Sequence, residues 1–556
     1  MQILLVFSLC FFFPLFSFGQ LTIEKNTHSF SSHFVGFNGR STEGPSWENP
    51  EFTSLVRTMN PASFRYPAGS QANLWDWRTG NFIPESGKRV AYPFTIEQCV
   101  TQLPSDTRLV YVINMAYPTP ATGVSMLADE EALASDATLD LKIEDILEAI
   151  PAFEAAGRLP DVIELGNEFY FKNEHAGVYG KNPALYLAHS QKISRALKKR
   201  YPEIPILMVT TKNGTKGRDE WNDAIYKELQ NNNQLAAQID GLVQHHYVKD
   251  GFGWTEPVID IPSLQRAVAE GWLYVSEQQS SITDVPVSFK LWLTEYGATK
   301  KNMDGTWGAG LRAVAMTLGW LTHYDKIESV FWHHVTDDPN VIRKTPLALG
   351  PIGVAMGEVM NAMKNKTTFR QLSFVANPSL TESIYVPSLF GYCFSNASGE
   401  EELLLVNLGA TTATNLNLQG LFPDRELESG ICYSAPEPFS PNASLQNGIR
   451  KQVFMQFSEV ELLPFSIIRL KLNAPVSSLS RPEQKYSQAF VFDASARRIC
   501  FSKSGKVELL SFDGQMLLSK SVSKQTYIDL SAFGSGYHII RFTKPNEAPV
   551  MQTVIL

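Results

Sequence analysis

Two glutamates in this 556-residue chain close short apolar runs in a way that suits them for chemistry. Glu168 ends Val162-Ile163-Glu164-Leu165-Gly166-Asn167-Glu168, and Glu295 ends Leu291-Trp292-Leu293-Thr294-Glu295 before Tyr296-Gly297. A carboxylate at the end of a buried strand loses hydration, so a compensating task is expected of it. Alternation along the second run puts Leu291, Leu293 and Glu295 on the predicted interior face, with Trp292 and Thr294 pointing the other way. Two carboxyls across a pocket can act at one acetal carbon. One is held protonated to release a leaving group, and the other stays ionised and attacks. The plainer alternative is a pair of capping or salt-bridged carboxylates.

Elements that position such a pair can be read from the apolar periodicity. Strand-like runs occur at His33–Phe37, Ser63–Tyr66, Leu109–Asn114, Val162–Leu165, Ile204–Val209, Gly241–His245, Lys290–Thr294 and Ser329–Trp332. Helical stretches lie between them at Asp140–Ala156, Pro183–Lys199, Trp221–Gln230, Ser263–Ser280 and Leu311–Tyr324. Short Val/Ile/Leu/Phe runs alternating with helices are the pattern of parallel strands buried on both faces. The α/β repeat over residues 20–365 predicts a (β/α)8 TIM barrel, whose strand C-termini carry the site. An open doubly wound sheet is the alternative, but no glycine-rich phosphate loop follows the first run.

Past Phe369 the helical periodicity stops. Ser383–Val386, Gly391–Phe394, Glu402–Val406, Thr414–Leu418, Val453–Phe457 and Ser466–Leu472 read as strands of an antiparallel β-sandwich over 366–473, and Leu21–Glu24 is placed to add another. A Ser/Pro-rich linker at 474–485 precedes a small all-β C-terminal module, 486–556, with strands at Lys506–Phe512, Tyr527–Leu530 and Gly534–Phe542 and a hairpin turn at Asp513-Gly514. At the other end, Ile3–Phe18 is apolar and Ser17 and Gly19 are small, so 1–19 reads as a signal peptide and the mature chain as exported. A membrane anchor is the rival there, and no later segment is long and apolar enough to cross a bilayer.

ELGNEFY and LWLTEYG together resemble glycoside hydrolase clan A, which places Asn-Glu on barrel strand four and Glu on strand seven. The resemblance covers the barrel and the following sandwich. It implies retaining cleavage of an O-glycosyl bond, with Glu168 as acid/base, Glu295 as nucleophile and Asn167 as donor to the sugar 2-hydroxyl. Retention by two carboxyls implies a separation of about 5–5.5 Å between them. Phe64-Arg65-Tyr66-Pro67-Ala68-Gly69 resembles the Arg-Tyr-Pro-Gly-Gly-like segment of arabinofuranosidases in that clan, with Ala68 in place of the first glycine. The likeness implies Arg65 beside the nucleophile, keeping it ionised. In Gln244-His245-His246-Tyr247, alternation gives His245 and Tyr247 one face. The clan pattern implies a hydrogen bond from Tyr247 to the nucleophile and a platform role for Trp332 under the sugar. FRYPAG, the sandwich and the ending LLPFSIIRLKL favour the arabinofuranosidase, β-xylosidase and β-glucuronidase/heparanase-like groups. VELLSFDGQML, IDLSAFGSGYHIIRF and the terminal TVIL resemble the C-terminal sorting domain of Bacteroidetes cargo of the type IX secretion machinery.

Trp75, Trp77 and Trp307 fall in predicted loops and are candidates for further sugar subsites, and Asn38 and Asn114 for hydroxyl contacts. A uronic acid substrate would need a cation near the sugar, for which Lys300, Lys301 and Arg343 are candidates. His245-His246 and His333-His334 suggest a metal, but neighbours on a strand face opposite ways, so each pair offers one inward ligand and no metal or cofactor is expected. The four cysteines beyond the leader match no zinc pattern, and pairing of Cys393 with Cys432 is left open. A net charge of −8 gives no footprint for nucleic acid. The aromatic content, 11%, suits stacking on sugars but equally a packed core. The expected partner is a polysaccharide or oligosaccharide, without stable membrane insertion, for a protein secreted or attached to the cell surface. A non-catalytic glycan-binding protein on the same scaffold is the rival reading.

Overall fold

The computed structural model describes residues 21–39, 44–116, 136–172, 175–214, 218–248, 258–298, 303–335, 340–375, 377–382, 384–413, 416–441, 443–473, 490–493, 498–501, 504–511, 515–523, 527–531, 533, 537–543 and 550–555. The leader 1–19, the linker 474–485, Asp513-Gly514, and Lys300 and Lys301 lie outside them. The chain divides into two compact units, 1–474 and 475–556.

In the first unit, Val35–Asn38, Ser63–Tyr66, Arg108–Val112, Val162–Glu164, Ile206–Val209, Gly241–Val248, Lys290–Ala298 and Ile327–Trp332 form a closed parallel barrel in sequence order. They are numbered here as barrel strands one to eight. All eight coincide with the predicted runs. Helices Asp136–Ala156, Pro183–Arg200, Asp219–Asn231, Ile261–Glu277, Trp307–Leu321 and Pro351–Met363 surround it. Their starts have local causes. Asp260 and Ser263 form a reciprocal capping box, and Thr306 accepts the Ala309 N–H.

Side-chain direction on strand seven differs from simple alternation. Trp292 packs with Val110, Val162, Leu207, Val243 and Phe331, a layer drawn from six successive barrel strands, so Trp292 faces the interior. Leu291 and Leu293, expected inside, belong instead to the core shared with the helices. A bulge explains how Glu295 still turns inward. Val243 pairs with Trp292 but His245 pairs with Glu295, so strand seven holds one extra residue between these pairs. Thr294 and Glu295 then both point into the barrel, as their contacts below show.

Trp307 is a second correction. It begins a helix rather than sitting in a loop, is wholly buried, and donates its indole N–H to Phe465 O at 2.7 Å. It fastens the barrel to the β-domain.

That domain is an antiparallel ladder running Leu21–Ile23, Thr368–Phe374, Leu389–Ser395, Glu401–Asn407, Ser466–Leu472, Leu427–Ser434 and Arg450–Phe454. The N-terminal strand joins it as expected. In Glu401–Asn407, Leu404 and Val406 pack with the barrel's helical layer, while Leu403 and Leu405 form a separate core with Leu416, Leu418, Phe422 and Leu462. Of the strand expected at Ser383–Val386, residues 384–386 are not a strand, and Ser383 lies outside the described residues. The chain turns there with Ile384 and Tyr385 exposed, and the ladder starts at Leu389. Of the strand expected at Thr414–Leu418, Thr414 and Asn415 lie outside the described residues and Leu418 opens a helical turn, Leu418–Leu421, while the strand expected at Val453–Phe457 ends at Phe454. Leu427–Ser434 carries no clear alternation and was not anticipated. Cys393 and Cys432 are buried and free.

The second unit contains a three-stranded sheet, Phe490–Asp493, Arg498–Phe501 and Tyr527–Asp529, and a four-stranded one, Met516–Val522, Gly505–Ser511, Tyr537–Thr543 and Val550–Ile555. Ile499, Phe501, Val507, Leu509, Ile528, Ile540 and Phe542 form its core. Among the described residues, no helix is long and apolar enough to cross a membrane.

Barrel closure leaves no room at Gly36, where a Cβ would stand 2.2 Å from the Ser63 carbonyl oxygen on the neighbouring strand. Gly36→Ala should therefore cost about 3 kcal/mol or more, read as a lowered denaturation midpoint.

Candidate active site

The end of strand four is shaped by backbone conformation. Gly166 has φ +80°, and a Cβ there would meet the Phe169 ring at 2.1 Å. Glu168 itself has φ +52°, a left-handed conformation that costs an ordinary residue about 1–2 kcal/mol. A clamp holds it there. Asn73 donates its amide to Asn167 O at 2.7 Å and accepts the Asn167 N–H at 3.0 Å. At the end of strand two, Ala68 keeps a left-handed φ of +70° although it stands where the related segment has glycine.

Arg65 is the hub. It is wholly buried and donates Nε to Glu164 Oε2 (2.8 Å), Nη2 to Glu164 Oε1 (2.7 Å) and Asn167 Oδ1 (2.8 Å), and Nη1 to Glu295 Oε1 (2.8 Å). Asn38 Oδ1 lies 3.5 Å from Nη1. Burial opposes the charge, but Glu164 and Glu295 outweigh it and hold the guanidinium firmly protonated. The other oxygen of Glu295 accepts the Tyr247 hydroxyl at 2.5 Å. His245 stands between the two glutamates, its Nδ1 2.9 Å from Glu168 Oε1 and 3.5 Å from Glu295 Oε2, while its Nε2 lies 3.2 Å from Thr294 Oγ1. Tyr170 donates to Glu168 Oε1 at 2.8 Å. His333 Nε2 is 4.0 Å from Glu295 Oε2, and its ring meets Tyr247 edge-on.

Electrostatics separates the groups. Burial pushes the Glu295 carboxyl upward, but His245, Arg65, His333 and the Tyr247 hydroxyl overcome this and hold it well below the usual carboxylate range. Burial would neutralise His245, yet Glu295 and Glu168 raise its pKa above the ordinary value. Burial and the two glutamates push the Tyr247 phenol well up, so it remains a donor. His246 faces away, packed on Trp320 and Tyr274, and burial drives its pKa down to about 3.

Glu168, His245 and Glu295 offer ligand atoms within 4.8 Å of one another, near enough to share a cation. Arg65 already supplies positive charge there, and both Glu295 oxygens accept protein donors, so the set fits a charge-balanced network better than a metal cage.

Several predicted residues are placed elsewhere or serve other ends. Asn114 donates to Trp75 O at 3.0 Å and ties down the loop after strand two. Trp75 is buried, with its N–H on the Tyr66 hydroxyl, and Trp77 bonds Asp145 with Arg78 stacked on its ring. Trp332 is 3% exposed and packs edge-on against Tyr296, which leaves little ring face for a sugar. Arg343 lies in the hairpin Ile342–Lys344/Leu347–Leu349, without a contact to either glutamate among the described residues. Glu164, Asn73 and Tyr170 are part of the site without being candidates from the sequence; Thr294, expected to point outward, and His333, considered only as a metal ligand, join them. Glu164 had a signal, a second acid ending the same apolar run four residues before Glu168. Asn73 had none, because its role depends on a loop folding back.

No family model matches this sequence, and no curated protein matches it. Solved structures do. A family 51 α-L-arabinofuranosidase from Bifidobacterium longum aligns over 82% of this chain and 100% of its own, with a TM-score of 0.56 at 13% identity. The family 51 arabinofuranosidase of Xanthomonas axonopodis pv. citri aligns over 82% and 99%, at 0.56 and 15%. A family 44 xyloglucanase from Paenibacillus polymyxa aligns over 82% and 100%, at 0.51 and 11%. The chain thus shares its fold with these solved structures. At these identities the likeness is one of fold.

The depressed Glu295 pKa ties stability to pH. Its carboxylate contributes stability that is complete above the ordinary value of 4.5 and is lost as pH falls toward the folded-state value. Glu295→Gln deletes that contribution. The stability gap between wild type and variant should therefore shift against the wild type between about pH 6 and about pH 3 in denaturant titrations; a constant gap contradicts the assignment.

Proposed function

We propose that this protein is a secreted retaining glycoside hydrolase that cleaves an extracellular polysaccharide or oligosaccharide by double displacement. The observation that carries the reading is the different hydrogen bonding of two glutamates that face each other at the barrel mouth. Arg65 and Tyr247 each occupy one oxygen of Glu295 and favour its ionised form, as a nucleophile needs. Glu168 Oε1 accepts Tyr170 and faces His245, while Oε2 has no partner among the described residues. That oxygen is the one left to face a glycosidic oxygen. An oxygen of each glutamate lies within 4.8 Å of the other, which favours direct attack over an intervening water at a separation of about 6.5–9.5 Å.

In this reading Glu168 gives its proton to the departing oxygen as Glu295 forms an ester bond to the anomeric carbon. Glu168, now a carboxylate, takes a proton from water, which attacks the same carbon and frees Glu295. Asn167, whose Nδ2 is buried without a protein partner, and Asn38 Nδ2, likewise unpartnered, supply donors for sugar hydroxyls. Both matter most where charge develops, so they should tighten in the transition state. The first substrates to try are arabinosides, xylosides and glucuronides, the groups whose enzymes FRYPAG and LLPFSIIRLKL resemble; arabinofuranosidases are also among the structural neighbours.

The apolar run Ile3–Phe18 and the sequence of the second unit support export with a type IX sorting module, as a secreted or surface-attached protein. A mature N-terminus beyond residue 19, read by mass spectrometry, is the expected result; an intact leader in the exported protein contradicts it.

A panel of aryl arabinosides, xylosides, glucuronides, galactosides and glucosides should yield at least one substrate, released with retained anomeric configuration by NMR. Glu295→Ala should then lose at least about a thousandfold in kcat, and azide should restore Glu295→Gly with a product of the opposite anomer. Full activity in Glu295→Ala sinks the assignment. Glycan binding without turnover of any substrate supports the non-catalytic reading instead.

A further inference from the structure

The residues just beyond Glu168 divide their tasks. Phe169 packs into the core against Tyr179 and Tyr186. Tyr170 is buried and gives its hydroxyl to Glu168. Phe171 is half-buried, tilted against Tyr170 with ring centroids 4.9 Å apart. Over both rings lies the Arg218 guanidinium, 4.2 Å from the Phe171 centroid and 5.0 Å from that of Tyr170. Arg218 is half-buried, and its guanidinium has no hydrogen-bond or ion-pair partner among the described residues. Its charge is felt in the site. Burial and Glu168 push the Tyr170 phenol up, and Arg218 opposes them.

Cation–π contact with two aromatic rings holds the guanidinium in place without using its N–H groups, so its planar fork is left free. In that state an arginine can take a carboxylate or a sulfate by paired hydrogen bonds. Beside it a cavity of about 170 Å³ opens between Tyr170, Lys181, Pro183, Glu220 and Trp221, with Lys181 and Glu220 both exposed. The position in the barrel gives the meaning. Tyr170 and Phe171 follow strand four and Arg218 follows strand five, whereas Glu295 ends strand seven. An acid/base hands its proton to the departing oxygen, so the wall that carries it, opposite the nucleophile, borders the leaving group.

We propose that Tyr170, Phe171 and Arg218 form a leaving-group subsite that selects an anionic sugar residue, carboxylated or sulfated. The inference rests on Glu168 being the acid/base. Lys181 adds positive charge at the rim, and Glu220 restrains binding of anions that miss the Arg218 fork.

Calorimetric titration of the full chain with trigalacturonate, sulfated galactotriose and galactotriose tests it. At least one anionic ligand should bind about tenfold more tightly than galactotriose, as one charge-assisted contact allows, and the tighter of the two identifies the anion. Arg218→Gln should abolish the preference, and Arg218→Lys, which keeps the charge without the fork, should retain only part of it. Equal or undetectable binding of anionic and neutral ligands overturns the proposal, as does a preference that survives Arg218→Gln. Binding is read without turnover. A chain that prefers the anion through Arg218 yet turns over no glycoside upholds an anion site but overturns its leaving-group role together with the catalytic reading, while hydrolysis without an anionic preference overturns the subsite and leaves the catalytic reading standing.

Discussion

A single buried guanidinium organises the mouth of this barrel. Arg65 reaches Glu164, Asn167 and Glu295 at 2.7–2.8 Å from one planar group, and these partners come from strand four, the turn after it and strand seven. Taking such a charge out of water is expensive unless every donor is met and the opposing charge is close. Glu164 satisfies it on two sides, so the remaining edge can be spent on Glu295. Without Glu164 the arginine would have one anion and an incomplete set of acceptors. With it, Glu295 can stay ionised in a site where burial alone would protonate it.

The arrangement also depends on two local departures from regular backbone. Glu168 occupies a left-handed conformation, held by the two-way clamp between Asn73 and Asn167. Glu295 turns inward through an extra residue in strand seven, next to Thr294, which faces His245 by alternation from Trp292. Both departures fall where reacting groups are expected; the first is held by hydrogen bonds from the loop after strand two and the second by hydrogen bonds from strands two and six. Strain placed this way fixes side-chain direction more tightly than a regular strand end would.

Much of the fold was legible because burial on both faces leaves a strong signal. The eight barrel strands read as short apolar runs, and their spacing allowed few topologies. The β-domain was less legible. Ile384 and Tyr385 are exposed in a turn that their apolar character did not suggest, and Leu427–Ser434 has Glu428, Ser429 and Gly430 near its start, so pairing with its neighbours rather than its own pattern draws it into the ladder. Among the site residues, Arg65, Asn167, His245, Tyr247, Glu168 and Glu295 stand at strand ends, where period and position say where a side chain goes. The loop tryptophans misled, since Trp75 and Trp307 serve packing and loop geometry, which composition cannot separate from sugar binding.

By itself the sequence determined which residue types end which strands, because periodicity of two and of 3.6 is written into the local order of apolar and polar side chains. That was enough to name both glutamates. It was not enough to orient one of them. The parity argument for Glu295 chose the wrong set of companions, Leu291 and Leu293, and reached an inward glutamate only because a bulge reversed the register. A bulge arises from pairing with strands six and eight, which lie far away along the chain. The same holds for the proton balance of the site. Glu164 and Asn73 act through hydrogen bonds of 2.7 Å on Arg65 and Asn167, 99 and 94 positions away, and His333 stands 4.0 Å from Glu295; only the tertiary fold brings these together.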